Sequence, residues 1–403
     1  MKDILFITHF IQIPGELGNN RFHYITENIN KANINIEIIT TSFSHKKKVQ
    51  RIIGENFHIN NDNKNMKFTQ LYEPSYKKNV SLKRFYSHYK FAKNVNKYLH
   101  FRKRPDLIYC SVPSLDVANV AAKYAKENNV KFIIDIQDLW PEAFKMIFNF
   151  PIISDVIFYP MKKKADIIYQ SADEIVAVSE TYLNRALEVN NKVQEGNVVF
   201  LGTEIKTFDE VFINNRYKNK PKNEIWITYV GTLGHSYDLT SVFDALEILK
   251  LKGYNNLKFI IMGDGPLKQK FERYASEKQV NTLFTGRLPY AEMVGILCEC
   301  DIAVNPIKGG SAGSIINKHS DYAAAGLPVV NTQESLEYRN LVDKYQMGLN
   351  CNNNDSRDIA EKLSILIEDS ELREQMGKNS RRLAEEKFDR EKTYPLIFNI
   401  LMA

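Results

Sequence analysis

The sequence predicts an α/β protein built of two doubly wound parallel-sheet domains. Three observations carry this. Short apolar runs rich in Ile and Val alternate with amphipathic stretches, the pattern of strands covered on both faces. The alternation lapses once, over 206–222, where "KTFDEVFINNRYKNKPK" is polar and aperiodic. It then restarts in the same style to near the end of the chain. Alternating strand and helix implies parallel sheets with crossover helices, a Rossmann-like architecture.

The first domain is expected over 1–205. Its strands read as "DILFIT", "INIEIITT", "DLIYCS", "KFIIDI" and "EIVAVS", with helices such as "RFHYITENINKAN" and "VANVAAKYAKENN" between them. The lapse at 206–222 is read as a linker. The second domain is expected over 223–384, with strands "EIWITYV", "LKFIIMG", "NTLFTG", "DIAVNP" and "LPVVNT" and helices "LTSVFDALEILKLKG", "LKQKFERYASEKQ" and "AEMVGILCEC". A terminal helix over about 385–403, broken at Pro395, is expected to pack back on the first domain.

The chain has 403 residues, 44% hydrophobic and 25% charged, the balance of a globular protein with a sizeable core. Its four cysteines, Cys110, Cys298, Cys300 and Cys351, are not spaced as a disulfide framework or zinc site and read as free thiols. The apolar N-terminus reads as a first strand rather than a signal peptide, and no run of eighteen apolar residues occurs. A cytoplasmic protein is expected. The net charge of +6 conceals an asymmetry, because residues 1–104 hold 19 Lys and Arg against 7 Asp and Glu. Such a basic half suggests an anionic partner. "SLKRFYSHYKFAKNVNKYLHFRKR" interleaves Phe and Tyr with Lys and Arg at helical spacing, and "FKMIFNFPIISDVIFYPMKKK" is apolar and ends in three lysines. Both suit an anionic membrane surface. No nucleic-acid motif accompanies them.

In open parallel sheets, ligands bind beyond the carboxyl ends of strands. Four post-strand loops of the second domain contain glycine: "GTLGHSYDL", "GDGPL", "TGRLPY" and "NPIKGGSAGS". Glycines let backbone N–H groups approach an anion, and a following helix N-terminus favours negative charge. Several such loops on one edge point to a nucleotide or phosphate site.

These loops, with "PGELGNNRFHY", "DLWPE", "AVSETYL", "LGTEIKTF" and "NKHSDYAAAGLPVV", resemble retaining glycosyltransferases of the family 4 type, of GT-B fold. The likeness is to bacterial enzymes of capsule, O-antigen and exopolysaccharide synthesis, and it spreads over nearly the whole chain. It implies a nucleotide-diphosphate sugar, of the UDP type, seated between the lobes. It also implies a saccharide or lipid-linked acceptor bound by the first lobe, at the inner face of the cell membrane. Catalytic candidates carried over are Gln137, Asp138 and Lys318. Donor-binding candidates are Gly15, Gly18, Asn19 and Arg21 in the first lobe. In the second they are Gly231, Thr232, Leu233, His235, Gly263, Asp264, Arg287, Leu288, Ser311, Ala312, Gly313, Ser314, Lys318 and Asp321. The backbone N–H groups of 231–233 and 311–314, with Lys318 and Arg287, are expected on the diphosphate. Asp321, at the start of a short alanine-rich helix, is expected on the ribose hydroxyls.

The chain departs from the family in three places. The first Glu of the usual Glu-x7-Glu pair falls on Gly313 and the second on Asp321. The positions of the Arg and Lys that follow the Gly-x-Leu loop hold Thr232 and Tyr237 or Asp238. Gln137 stands where relatives have His. No metal is expected, because "DIQD" (135–138) has the wrong spacing for Asp-x-Asp. The rival readings are a UDP-N-acetylglucosamine 2-epimerase-like isomerase and a non-catalytic sugar-nucleotide-binding protein. Taken alone, Asp264 suits a turn, Glu142 a helix cap, and Arg287 an ion pair.

Overall fold

The computed structural model describes the chain except for residues 14–15, 17–20, 31–32, 52–56, 61–65, 79–80, 146–150 and 311–314. It divides into two compact units, Met1–Val199 with Tyr394–Ala403, and Phe200–Thr393.

The strands of the first unit are β1 (Lys2–Ile7), β2 (Ile34–Thr41), β3 (Phe43–Ser44), β4 (Val49–Gln50), β5 (Phe57–Asn60), β6 (Met66–Leu71), β7 (Leu107–Val112), β8 (Lys131–Ile136), β9 (Glu174–Ala177) and β10 (Asn197–Val198). Eight of them form one sheet in the order β10-β9-β8-β7-β1-β2-β6-β5, and β3 and β4 form a separate ribbon. The sheet is parallel except for its edge, where β5 runs antiparallel to β6. The central strand β1 pairs Ile4 with Ile36 on one side and Leu107 on the other. Every residue of β7 is buried, as a strand sandwiched by helices requires. Helix Leu82–Phe101 begins at Ser81, whose Oγ accepts from Arg84 N at 3.3 Å, and it buries Ser87, Phe91, Val95 and Leu99 as one stripe. Helix Pro151–Ser171 contains Pro160. No described helix is long and apolar enough to cross a membrane.

The second unit holds β11 (Ile225–Val230), β12 (Leu257–Met262), β13 (Thr282–Gly286), β14 (Ile302–Asn305), β15 (Val329–Asn331) and β16 (Gly348–Asn350), all parallel in the order β13-β12-β11-β14-β15-β16. Two apolar cores lie in this unit, one including Trp226, Tyr322 and Phe388, the other Tyr229, Phe243 and Phe259. In each unit strand order reverses beside a central strand, β1 in the first and β11 in the second. Those are the positions where post-strand loops separate and leave a crevice.

Three expectations need correction. Most of the stretch read as a linker is a helix, Ile205–Asn215, and the units divide instead at Val199 and Phe200. The helix forms because Ile205 and Phe208 are buried against the second unit's core, while Asp209 pairs with both terminal nitrogens of Arg381 at 2.7 Å. Only Tyr394–Ala403 of the terminal segment belongs to the first unit; residues before it stay with the second. The first helix ends at Asn28, short of the expected 33.

Candidate functional site

The helix Asn317–Ala324 follows the crevice-forming strand β14 and is fixed beneath it by one buried side chain. Tyr322 Oη accepts from Val230 N at 2.8 Å and lies 3.4 Å from Val304 O, tying the helix to the ends of β11 and β14. Gly326, at φ +65°, then turns the chain into β15. Beside it, Asn305, Asn331 and Asn350 occupy matching positions at the ends of β14, β15 and β16. Their amides form a chain, Asn305 Nδ2 to Asn331 Oδ1 at 2.8 Å and Asn331 Nδ2 to Asn350 Oδ1 at 2.9 Å. This ladder holds the strand ends level.

Lys318 is the second residue of that helix, where the dipole is positive. Its side chain is buried. The ammonium lies 4.3 Å from the Tyr229 ring centre and 4.1 Å from that of Tyr237, and has no hydrogen-bond partner among the described residues. Burial holds its pKa well below the ordinary lysine value. A buried cation without a counter-charge costs free energy unless an anion completes it. Next to it, His319 stacks on Tyr338 with ring centres 3.6 Å apart. Asp321 does not stand at the helix start as expected, because the helix begins four residues earlier. It lies in the second turn, 3.4 Å from Tyr290 Oη, and burial pushes its carboxyl up to about 7.

The glycine loops meet closely. A Cβ on Gly263 would lie 1.8 Å from Gly231 O, and one on Gly265 2.4 Å from Leu233 O. Glycine is therefore required for the two loops to touch. Their contact uses the backbone donors assigned to the diphosphate. Gly231 N donates to Met262 O and Leu233 N to Asp264 O, both at 3.0 Å. Of the three N–H groups at 231–233, only that of Thr232 makes no hydrogen bond among the described residues. The expectation for Gly231 and Leu233 is thus corrected. Asp264 caps its own turn, Oδ1 accepting from Gly265 N at 2.8 Å. His235 and Arg287 are exposed, and Arg287 has no ion pair among the described residues, contrary to the simple pairing considered for it. Leu288 packs on the core. Gly15, Gly18, Asn19, Ser311, Ala312, Gly313 and Ser314 lie outside the described residues.

Arg21 is also corrected. Its guanidinium is buried and committed to Asp135, Nε to Oδ2 at 2.7 Å, with Nη1 donating to Val199 O at 2.8 Å. Asp135 also accepts from Tyr109 Oη at 2.9 Å. This is an internal ion pair under the sheet, with the charge already neutralised there.

In the first unit, a cavity of about 400 Å³ opens at the strand-order reversal, where Thr8 leaves β1, Pro113 leaves β7 and Gln137 leaves β8. Gln137 and Asp138 are brought together on its wall. Asp138 accepts from Leu139 N at 3.0 Å, Trp140 Nε1 at 3.2 Å and Tyr182 Oη at 3.4 Å, which fixes its orientation, while burial raises its pKa. Gln137 Nε2 is buried without a partner among the described residues and offers two N–H donors.

Behind the cavity sits a cluster that no sequence spacing revealed. Glu73 Oε2 lies 2.8 Å from His9 Nε2 and 3.1 Å from His45 Nε2, and Oε1 accepts from Ser87 Oγ at 2.5 Å. The surrounding histidines hold the Glu73 carboxyl well below its usual range despite burial. A carboxylate only accepts, so both Nε2 atoms donate, leaving His45 Nδ1 to accept from Tyr76 Oη at 2.7 Å. Burial brings His45 down to about 4, and His88, in contact with the same rings, is also lowered. His9, His45, Glu73 and His88 are the described residues whose ligand atoms lie close enough to hold a metal ion. In this arrangement the Nε2 protons of His9 and His45 are already spent on Glu73.

Residues 212–383 match the family model described as Glycosyl transferases group 1. An uncharacterised glycosyltransferase of Methanocaldococcus jannaschii is 25% identical over 243 residues, covering 59% of this chain and 60% of that protein. The capsular polysaccharide biosynthesis glycosyltransferase CapM of Staphylococcus aureus is 22% identical over 305 residues, 72% of this chain and 74% of its own. The chain thus spans 60% of the length of the first of these relatives and 74% of the second. Among solved structures, HepE of Anabaena in complex with UDP superposes with a TM-score of 0.68 at 15% identity over 100% of both chains, a likeness of fold. The second unit is thus similar to the glycosyl transferases group 1 model over residues 212–383, and the chain has the GT-B fold.

Proposed function

We propose that the chain is a retaining glycosyltransferase that takes a sugar from a UDP-sugar and transfers it to a lipid-linked saccharide in bacterial surface-polysaccharide synthesis. The observation that carries this reading is the buried, unpaired ammonium of Lys318 at a helix N-terminus, in the unit that matches the family model. A donor diphosphate supplies the missing counter-charge. As the bond to the anomeric carbon breaks, charge grows on the leaving diphosphate, and a fixed cation in a dry site stabilises that growth. Asp321 takes the ribose hydroxyls, as its half-buried carboxylate accepts and Tyr290 Oη steadies it. In the first unit, Asp138 and Gln137 orient the acceptor hydroxyl, Asp138 accepting and Gln137 Nε2 donating. No metal enters this scheme, since Lys318 and the helix dipole carry the charge.

The reading puts the protein at the cytoplasmic face of a membrane. Leu82, Tyr86 and Tyr89 are exposed beside Lys83 and Lys93 on one helix, and Val156 and Tyr159 beside Lys162 and Lys163 on another. Aromatic and aliphatic groups among lysines suit an anionic lipid surface. The test is incubation with a panel of UDP-sugars, with and without lipid-linked acceptors, following UDP release and the anomeric configuration of product. Failure to transfer across the panel would remove the transferase reading; an inverted product would remove retention alone.

A further inference from the structure

Four residues meet in the first unit from four separate segments. His9 follows β1, His45 follows β3, Glu73 follows β6, and His88 lies in helix Leu82–Phe101. Each offers one ligand atom, and these four atoms all lie within 4.8 Å of one another. His9, Glu73 and His88 are buried, and the His45 side chain is 13% exposed. Three imidazoles are more than one carboxylate needs. Two of the rings and Ser87 already serve Glu73. The third ring is left to Arg84, whose Nε meets His88 Nε2 at 3.4 Å, beyond the usual length of such a bond. His9 Nδ1 is buried with no partner among the described residues. A buried nitrogen without a partner costs free energy, so hydrogen bonding does not account for the whole cluster.

The four side chains are also held in place by their surroundings. His9 stacks on Phe10 and on Phe91, each with ring centres 4.6 Å apart, and His88 stacks on Trp140 at 5.9 Å. Glu73 is fixed through its backbone. Its N–H donates to Ser42 Oγ at 3.2 Å, and its carbonyl accepts from Gln50 Nε2 at 2.7 Å. His45 Nδ1 is tied to Tyr76 Oη at 2.7 Å. Outer partners of this kind orient the ligands of a metal ion. A tetrahedral ion with bonds of about 2.0–2.1 Å keeps its ligand atoms about 3.4 Å apart. Glu73 Oε2 now lies 2.8 and 3.1 Å from the two histidine nitrogens, so an opening of about half an ångström admits the ion.

We propose that His9, His45, Glu73 and His88 form a site for one divalent transition-metal ion of the zinc class. Three imidazoles and one carboxylate suit such an ion, whereas Mg²⁺ and Ca²⁺ take oxygen ligands. Four protein ligands make a closed site, structural rather than catalytic. Binding moves the Nε2 protons of His9 and His45 to Nδ1. At His45 the bond to Tyr76 then reverses, Nδ1 donating and Oη accepting. At His9 no existing bond is given up, because Nδ1 has none among the described residues. His45 and Tyr76 both line the cavity of about 400 Å³, which gives the ion its way in. Once bound, the ion clamps four segments into that cavity's wall. It lies apart from the donor chemistry, where the diphosphate is left to Lys318.

The experiment strips the untagged full chain with a chelator and titrates it with Co²⁺, Zn²⁺ and, as a control, Mg²⁺. Co²⁺ should bind at one equivalent and develop the intense visible absorption of a four-coordinate site. Zn²⁺ should bleach that absorption and Mg²⁺ should not. Zn²⁺ should also raise the melting temperature, and the chelator should return it. Tyr76→Phe removes only the outer partner of His45, so it should keep the absorption and weaken Zn²⁺ binding about 10–100-fold. His45→Gln removes a ligand at the one partly exposed position, so it should lose the absorption and weaken Zn²⁺ binding by more than that. His100→Gln, at an exposed histidine bonded only to its own helix, should change neither. If His45→Gln fails to fold, Tyr76→Phe still carries the test. Absence of the four-coordinate spectrum overturns the proposal. So does Zn²⁺ binding that is unchanged in both His45→Gln and Tyr76→Phe, which would place the ion at an adventitious surface site and leave the cluster as hydrogen-bonded core.

Discussion

Lys318→Met should stabilise the ligand-free protein and weaken its nucleotide binding, two opposite effects of one substitution. A buried charge left without its partner costs about 3–5 kcal/mol. The faces of Tyr229 and Tyr237, at 4.3 and 4.1 Å, return about 1–2 kcal/mol each. The residual strain is then at most about 3 kcal/mol and centrally about 1 kcal/mol, which methionine relieves while filling similar space between the rings. In a domain of this size each kcal/mol moves the melting temperature by about 2–4 °C. With UDP bound, the lost charge-assisted contact is about 1.5–3 kcal/mol, or roughly 10–100-fold in Kd. Thermal melting with and without UDP, and calorimetric titration of UDP, read the two effects separately. A variant that melts lower without ligand and binds UDP as the wild type does would mean that the ammonium is satisfied inside the protein, and the reasoning would fall.

The Asp321 carboxyl at about 7 makes UDP-glucose affinity pH-dependent: it should fall as pH is lowered below 7, by at most about tenfold per unit, and Asp321→Asn should weaken binding and flatten the profile. Because its folded value lies above the unfolded one, the same group withdraws stability as pH rises from about 4 to 7, a slope that melting of Asp321→Asn should lack. Arg21→Met strands the buried Asp135 carboxylate and should cost about 3–5 kcal/mol in urea unfolding, with UDP affinity in the surviving folded protein unchanged. Gly263→Ala places a Cβ 1.8 Å from Gly231 O, so it should lower stability by about 1–3 kcal/mol and raise the Kd for UDP. Glu73→Gln keeps the shape but removes the charge that His9, His45 and Ser87 donate to, and should cost about 1–3 kcal/mol by the same unfolding measurement.

The sheets were legible because their strands are buried on both faces, so Ile and Val run unbroken through "DILFIT" or "KFIIDI" without needing a partner to be recognised. The short strand β16 offers only three residues, and β6 mixes Lys67, Thr69 and Gln70 into its run, so neither announced itself. The helix Ile205–Asn215 was hidden for another reason. It buries only Ile205 and Phe208 and draws further support from the Asp209–Arg381 pair, 172 positions apart in the chain. Arg21 misled in the same way: a basic residue after a glycine loop looks free for phosphate, and its real partner, Asp135, is 114 residues away. The Glu73 cluster gathers residues from four separate segments, and no spacing in one sequence encodes that meeting.

The glycine loops meet at the strand ends without leaving free the atoms expected of them, and the difference bears on a departure seen in the sequence itself. Glycine at 263 and 265 brings two strand-end loops into contact, and the contact consumes the N–H groups of Gly231 and Leu233. A loop that spends its donors on its neighbour cannot also cradle a diphosphate with them, so positive potential must come from a side chain. Resembling enzymes place basic residues directly after this loop, where the present chain has Thr232. On the proposed reading the cation comes from the opposite side instead: Lys318 rises from the helix N-terminus onto Tyr229 and Tyr237, and Tyr229 Oη donates to Thr232 O at 2.8 Å. The two changes are therefore coupled through one tyrosine. Restoring an arginine at 232 should recover nucleotide affinity in Lys318→Met, and gain little where Lys318 is already present.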